Sequence, residues 1–143
     1  MCEQEQRQKV VAIAKTWLKT PYHHMAKIKG VGVDCLTLLS EVYREAGLVE
    51  KPDIPFYPKD FMQHSGAELY LEGLLKYAHE IDTTPKAGDI IIWKFGRCFS
   101  HTAIVIDYPQ VIHACAGSSV TIDDVEAAEW LSSRQRKVFS YWK

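Results

Sequence analysis

The sequence lacks an excess of either charge. It has 17 lysines and arginines against 18 aspartates and glutamates, which gives a formal net charge of −1 at pH 7. Proteins that bind nucleic acid by neutralising its phosphates normally carry a basic excess, so we do not expect a nucleic-acid partner. No apolar run approaches the length of a membrane span, so we expect no membrane partner. Residues 1–11 lack the apolar core of a secretory signal, which predicts cytoplasmic synthesis without a signal peptide.

The sequence also lacks a disulfide framework. Its four cysteines (Cys2, Cys35, Cys98, Cys115) are irregularly spaced, which favours free thiols. No internal repeat, low-complexity tract or linker divides the chain, so we expect one domain over residues 1–143. A chain of this length buries about two-thirds of its surface on folding. We therefore expect neither a structural metal nor a cofactor.

Apolar spacing predicts helices in the first half of the chain and strands in the second. Helices are expected at residues 4–19 and 34–47, and a third helix within residues 60–79, with irregular loops at 21–33 and 51–59. From Pro85 onwards β-branched and aromatic residues predict strands at 89–95, 102–107, 111–114, 120–122 and 138–142. A short helix is expected from Asp123 to about Ser132. Helices followed by mostly antiparallel strands predict an α+β fold.

Cys35 is the candidate nucleophile. It lies in the first turn of the second predicted helix, where free backbone N–H groups and the helix dipole favour a thiolate and lower the thiol pKa. The same N–H groups can stabilise an oxyanion. Asp34, the expected N-cap, has the opposite effect, because a neighbouring carboxylate raises a thiol pKa. Since Cys35 also falls on the apolar stripe of the helix, a buried structural cysteine is the alternative.

Two histidines on consecutive predicted strands are candidates for the base that a cysteine nucleophile needs. His101 begins one strand and His113 lies in the next, and a turn near Tyr108-Pro109 would make the two strands a hairpin. One imidazole could then accept the thiol proton while the other fixes its tautomer. For His113 the alternative is a core histidine bonded to a backbone carbonyl.

Zinc binding is a different chemistry that the same region permits. A C-x2-H pair and an H-x-C pair offer four plausible ligands: Cys98, His101, His113 and Cys115. Eleven residues separate the pairs, and the C-x2-C knuckles typical of zinc sites are absent. We therefore expect no metal, and cysteine chemistry is the favoured interpretation.

These motifs together resemble the NlpC family of papain-like cell-wall peptidases. The resemblance covers residues 10–123 and rests on Thr20-Pro21-Tyr22, Gly32-Val33-Asp34-Cys35, Lys86-Ala87-Gly88-Asp89-Ile90-Ile91, Ser100-His101-Thr102-Ala103-Ile104 and Val111-Ile112-His113-Ala114. Further segments are most similar to the branch encoded by phages and gene transfer agents: Tyr22-His23-His24, Lys29-Gly30-Val31-Gly32 and Pro55-Phe56-Tyr57-Pro58-Lys59-Asp60-Phe61.

The resemblance implies a papain-like α+β domain and a set of site residues. It implies Cys35 as nucleophile, His101 as general base and His113 as the orienting third member. It also implies Tyr22 near the oxyanion and Asp34 as receptor for the free amine of a peptidoglycan stem peptide. Many members have Ser-Gly after the cysteine, whereas Leu36-Thr37 follows here.

The resemblance further implies hydrolysis of the γ-D-glutamyl to diamino acid bond through a thioester. The expected partners are the stem peptide and phage-tail proteins, with action at the cell wall as part of a phage-like particle. Two alternatives remain: an amidase or acyltransferase using the same cysteine and histidines, because any nucleophile can resolve a thioester, and a non-catalytic tail module of the same fold.

Overall fold

The protein is described by a computed structural model, which covers residues 1–50 and 69–143. The predicted loop at 51–59 and most of the third predicted helix lie outside the described residues. In chain order the elements are α1 (Glu3–Lys15), β1 (Lys27–Ile28), β2 (Gly32–Val33), α2 (Cys35–Glu45), α3 (Leu69–Leu74), β3 (His79–Ile81), β4 (Ile90–Phe95), β5 (Cys98–Asp107), β6 (Gln110–Ala114), β7 (Val120–Asp124), α4 (Glu129–Ser132) and β8 (Arg136–Ser140).

The main sheet has six antiparallel strands in the order β3-β8-β4-β5-β6-β7, and β1 pairs with β2 in a separate hairpin. The α+β prediction is therefore confirmed. No helix among the described residues is long and apolar enough to cross a membrane.

The two faces of the sheet bury different apolar clusters. The face that we call the helix face packs against α1 and α2, and its strand residues include Ile90, Ile92, Ile104 and Ile112. The face that we call the histidine face buries Ile91, Trp93, Ala103, Val105 and Val111 with Val125 and Leu131. Alternation of side chains along each strand produces the division, because successive residues point to opposite faces.

Helix α2 begins and ends where the sequence predicts. Asp34 is its N-cap, and Gly47, just after it, has φ of +80°, a left-handed conformation that glycine adopts without a Cβ clash. Helix α1 is shorter than predicted and ends at Lys15. Lys19 has φ of +72°, and its N–H donates to Val120 O. The long-range contact with β7 thus ends the helical path before Lys19.

Two local predictions are wrong. The loop at 21–33 contains the short hairpin of β1 and β2, whereas α3 lies within the range predicted for the third helix. Asp123 does not open a helix: it belongs to β7, opposite Val111, and the short helix α4 begins only at Glu129. Tertiary pairing with β6 outweighs the local turn preference of Asp123-Asp124.

Candidate active site

The N-terminus of α2 is held by a reciprocal capping arrangement around Asp34. Its Oδ1 accepts from the N–H groups of Leu36 (3.0 Å) and Thr37 (2.9 Å), and Thr37 Oγ1 accepts from the Asp34 N–H (2.9 Å). Thr37 Oγ1 also donates to Ala26 O at 2.6 Å, which ties the helix to the preceding loop. Thr37, one of the two residues that replace the Ser-Gly of related sequences, therefore has a defined structural role.

The Asp34 carboxylate is fully buried. Its second oxygen accepts from the N–H of Met25 at 2.7 Å and lies 3.9 Å from His24 Nδ1. These bonds account for Asp34 as a capping and loop-tethering residue. Its expected role as receptor for a substrate amine stays a prediction.

Cys35 occupies the first position of α2, against β5. Only 4% of the residue is exposed. Its Sγ donates to Ser100 O at 3.4 Å and lies 3.9 Å from Tyr70 Oη, and its carbonyl accepts from Thr102 Oγ1 at 3.0 Å. The thiol is thus fixed against the two residues that flank His101 in the chain.

Burial of Cys35 reverses the direction of the pKa shift that the sequence predicts for its thiol. It raises the pKa of Cys35 to about 11, and the nearby Asp34 carboxylate adds to the increase. Contacts with Thr102 and Tyr70 oppose the increase but do not cancel it. The predicted depression by the helix terminus is therefore outweighed by desolvation, and Cys35 is a neutral thiol at rest.

His101 follows an irregularity in the β4–β5 ladder. Trp93 pairs with His101, but the next residue, Lys94, pairs with Phe99, so Ser100 is an extra residue on β5. Such bulges bend a strand and re-aim the neighbouring side chains. His101 is the fourth residue of β5, whereas the sequence predicts a strand that starts after it. Its ring lies on the histidine face against Trp93 and Phe95.

His101 and His113 meet across neighbouring strands, as the hairpin argument predicts. His101 Nε2 lies 2.8 Å from His113 Nδ1. His113 Nε2 in turn lies 2.7 Å from Asp123 Oδ2. The His113 side chain is 0% exposed, whereas that of Asp123 is 38% exposed. We call these three side chains the histidine chain: it runs from β5 to the solvent-accessible edge of β7.

The histidine chain assigns the tautomer of each ring. The side chain of an ionised aspartate only accepts hydrogen bonds, so His113 carries its proton on Nε2 and donates it to Asp123. Its Nδ1 then accepts from His101 Nε2, which places the lone pair of His101 on Nδ1. Nδ1 is thus the nitrogen of His101 that can act as a base.

Both rings are neutral at rest. Burial, with a smaller effect of His113, lowers the pKa of His101 to about 3. Burial also lowers the pKa of His113, against the contrary effect of its contact with Asp123. The predicted nucleophile and the predicted base are therefore both in their neutral forms.

The Trp130 indole of α4 covers both imidazoles. Its ring centroid lies 5.8 Å from each, and its plane is within 17° of the His113 plane. Trp130 is 44% exposed, so it shields the two imidazoles on one side and presents an aromatic surface to solvent on the other. Sequence reasoning missed both Trp130 and Asp123; a T-x-D pattern opposite H-x-C on a hairpin partner is the signal that could have identified Asp123.

Tyr22 lies beside the helix terminus in a short bridge to Val33. Burial raises its pKa, and the electrostatic effects of the neighbouring Cys35 and Asp34 raise it further. Its phenol is therefore a neutral hydrogen-bond donor near Cys35. This location fits the expectation that Tyr22 lies near the oxyanion, which remains a prediction.

The structure brings the predicted residues together only in part. His101 and His113 are hydrogen-bonded, but among the described residues no hydrogen bond joins Cys35 Sγ to His101. The four-residue zinc set is not assembled either: the metal-competent cluster of the described chain contains His113 and Cys115 with Asp123, without Cys98 or His101.

Residues 19–138 match the model of the NlpC/P60 family, which is more than half of the chain. The chain belongs to the NlpC/P60 family. No curated protein matches it at a significant level.

Solved NlpC/P60 structures share the fold. The NlpC/p60 domain of the peptidoglycan hydrolase SagA is 25% identical, with a TM-score of 0.66 over 92% of this chain and 97% of that domain. An NlpC/P60 family protein from Bacillus cereus is 19% identical with a TM-score of 0.68, and NlpC1 from Trichomonas vaginalis is 17% identical with a TM-score of 0.67. They cover 96% and 97% of this chain, which spans only 40% and 45% of their length.

Proposed function

We propose that this domain is a cysteine peptidase that cleaves the γ-D-glutamyl to diamino acid bond of peptidoglycan stem peptides. Family membership supports a hydrolase, and SagA, with its related NlpC/p60 domain, is a peptidoglycan hydrolase. The observation that carries the proposal is the hydrogen-bonded chain from Asp123 through His113 to His101. These hydrogen bonds leave Nδ1 of His101 free to act as a base. His101 directly follows Ser100, and the carbonyl of Ser100 accepts the hydrogen bond of the Cys35 thiol.

Acylation begins when Cys35 Sγ attacks the carbonyl carbon of the scissile amide. The thiol turns away from Ser100 O, and its proton passes to His101 Nδ1. The negative charge that develops on the substrate oxygen is stabilised by the backbone N–H of Cys35, since Asp34 occupies those of Leu36 and Thr37, and by the neutral phenol of Tyr22. His101 Nδ1–H then protonates the leaving amine, the C–N bond breaks, and a thioester remains on Cys35.

Deacylation reverses the proton movements with water in place of the amine. His101 Nδ1 accepts a proton from water as the oxygen attacks the thioester, and the proton then returns to the departing sulfur. During both steps His101 is transiently cationic. His113 accepts from its Nε2–H, and the Asp123 carboxylate at the far end of the chain stabilises the charge.

Asp34 is proposed to recognise the free amine of the stem peptide. Its oxygens are occupied by backbone donors, so recognition requires an ammonium group to join or replace the Met25 N–H at Oδ2. Hydrolysis of stem peptides with free and acetylated N-termini tests this role. Asp34→Asn should reduce kcat/KM about 10- to 100-fold on the free amine and less on the acetylated peptide.

We also propose that the domain acts within a phage-like tail particle. The support is the sequence similarity of residues 22–24 and 29–32 to the phage and gene-transfer-agent branch. Purified particles from induced producer cells should contain the protein in a fixed ratio to tail proteins. Its presence only in the non-particulate fraction would contradict this localisation.

The function is tested by mass spectrometry of purified peptidoglycan fragments after incubation with the protein. We expect a new amine on the diamino acid and a new carboxylate on D-glutamate. Cys35→Ala is the inactive control, and Cys2→Ser, which changes an exposed thiol remote from the site, is the matched active control. Cleavage by Cys35→Ala, or no cleavage of any stem peptide by the unaltered protein, would overturn the proposal.

A further inference from the structure

We propose that His113, Cys115 and Asp123 form a binding site for a zinc-class divalent transition-metal ion. We further propose that an ion bound there switches off the histidine chain, a consequence that rests on the proposed peptidase function.

The three donor atoms already lie close together. His113 Nε2, Cys115 Sγ and an Asp123 carboxylate oxygen are all within 4.8 Å of one another. Nε2 is 3.4 Å from Sγ and 2.7 Å from Oδ2. Metal–ligand bonds of about 2.0–2.3 Å place tetrahedral ligand atoms about 3.3–3.8 Å apart, so the Nε2 to Sγ distance already fits and the Nε2 to Oδ2 contact must lengthen.

Two of the three ligands lie on paired strands. His113 pairs with Thr121 across the β6–β7 ladder, so its side chain lies on the same face as those of Thr121 and Asp123. Cys115 directly follows β6, and its N–H donates to Ser119 O at 3.4 Å, beyond the last ladder pair. Thr121 Oγ1 lies 3.4 Å from Asp123 Oδ2 and 3.9 Å from Cys115 Sγ, which positions both ligands.

The donor set determines the class of ion. One imidazole nitrogen, one thiolate and one carboxylate suit a borderline ion such as Zn²⁺ better than Mg²⁺ or Ca²⁺, which take oxygen ligands. His113 is buried, but Asp123 and Cys115 are partly exposed. An ion can therefore enter from solvent and complete its shell with water.

Metal binding reverses the tautomers that the proposed mechanism needs. The ion takes the place of the His113 Nε2 proton, and the neutral ring then carries its one proton on Nδ1. Nδ1–H now donates to His101 Nε2, so the proton of His101 moves to its own Nδ1. His101 Nδ1 then has no lone pair with which to accept the thiol proton. The proton balance is closed by release of one proton, from the Cys115 thiol, to solvent.

Binding is tested with Co²⁺, whose tetrahedral thiolate complexes have a sulfur-to-metal charge-transfer band and strong visible absorption. We would use the full chain with Cys2→Ser and Cys35→Ala, so that Cys98 and Cys115 are the remaining thiols. We expect a band at one equivalent of Co²⁺, bleached by Zn²⁺, and lost on adding Cys115→Ser. Asp123→Asn should weaken affinity about 10- to 100-fold, whereas Asp124→Asn, its chain neighbour outside the cluster, should not.

Any of three other results would contradict the proposed metal site. A thiolate band that survives Cys115→Ser places the metal elsewhere, as does equal weakening by Asp123→Asn and Asp124→Asn. Absence of any band in the double-substituted chain shows that no such site forms. Circular dichroism of every variant confirms that the loss of a band is not a loss of fold.

Inhibition is measured separately on stem peptides, with each protein compared with its own rate in chelator. Zn²⁺ should inhibit the unaltered chain at the concentration that bleaches the cobalt band, and Cys115→Ser should need at least about tenfold more. The proposed switch is wrong if Zn²⁺ inhibits the unaltered chain and Cys115→Ser at the same concentration. It is also wrong if the unaltered chain keeps full activity while the metal site is occupied. If no protein cleaves peptide in chelator, the peptidase proposal and its switch fail together, while the cobalt result still decides the metal site.

Discussion

The two faces of the main sheet carry the two halves of the candidate site in different ways. On the helix face Cys35 is positioned by local structure: the Asp34 cap and the Thr37 hydroxyl are within three residues of it. On the histidine face the histidine chain joins residues of three strands. Its two ends, His101 and Asp123, are 22 positions apart in the sequence (123 minus 101). The proposed nucleophile is therefore placed by a helix terminus, and the proposed base by strand register.

The difference has an electrostatic consequence. Cys35 is buried beside a carboxylate, so its thiolate is disfavoured, whereas Asp123 reaches His101 only through His113 and can stabilise a cation there without being close to the thiol. Negative charge near the nucleophile opposes ionisation, and negative charge at the far end of the histidine chain supports proton acceptance. Four experiments test this division, from the largest expected effect to the smallest.

Removing the nucleophile should have the largest effect. Cys35→Ala should reduce kcat at least about 10⁴-fold, because the residual rate comes only from substrate binding and oxyanion stabilisation. The fold should persist, since the capping contacts of Asp34 do not use the thiol. Stem-peptide hydrolysis and thermal unfolding measure the two quantities. A variant that retains a tenth of the activity would place the nucleophile elsewhere.

The pH dependence of alkylation distinguishes a buried thiol from a helix-activated thiolate. Below a pKa of about 11 the thiolate fraction of Cys35 rises about tenfold per pH unit. Iodoacetamide labelling of Cys35, read by mass spectrometry, should therefore accelerate about 100-fold between pH 7 and pH 9 without levelling off. Exposed Cys2 in the same digest is the accessible reference thiol. A plateau below pH 7 would show that the helix terminus outweighs burial.

Neutralising the far end of the histidine chain should have an intermediate effect. Asp123→Asn removes the charge that stabilises cationic His101, and an amide N–H facing His113 Nε2 favours the wrong tautomer. We expect kcat to fall about 10- to 100-fold with KM nearly unchanged. Asp124→Asn is the matched control, because the Asp124 side chain instead caps the turn at Glu126 and Ala127. Equal losses in the two variants would assign Asp123 a structural role only.

Changing the cap should also lower the stability of the fold, apart from its proposed effect on amine recognition. Asp34→Asn keeps one oxygen for Leu36 and Thr37 but turns a buried N–H donor toward the partly buried Met25 N–H. An unsatisfied buried donor costs about 1–3 kcal/mol, and denaturant unfolding should show a decrease of this size. Thr16→Ala, which removes an exposed hydroxyl contact on α1, should change the free energy of unfolding by less than about 0.5 kcal/mol. An unchanged free energy of unfolding in Asp34→Asn would show that water or side-chain rotation satisfies the new donor.

The sequence by itself determined the elements whose signals are local. The N-cap and glycine stop of α2 and the apolar strands after Pro85 can be read from a few neighbouring residues, because capping, dihedral freedom and side-chain alternation act over one or two turns. The pairing of His101 with His113 was also predictable, since a hairpin brings nearby segments of one chain together. These features were sufficient to predict the α+β class, and the resemblance of the motifs predicted the family.

Only the tertiary structure decided the properties that depend on distant parts of the chain. Burial against β5 raises the pKa of Cys35, although the helix terminus alone predicts the opposite shift. The ladder with β6 keeps Asp123 in a strand and directs it at His113, although local preference places it in a helix. Desolvation and strand register are set by residues far apart in sequence, so neither could be read from the neighbours of Cys35 or Asp123.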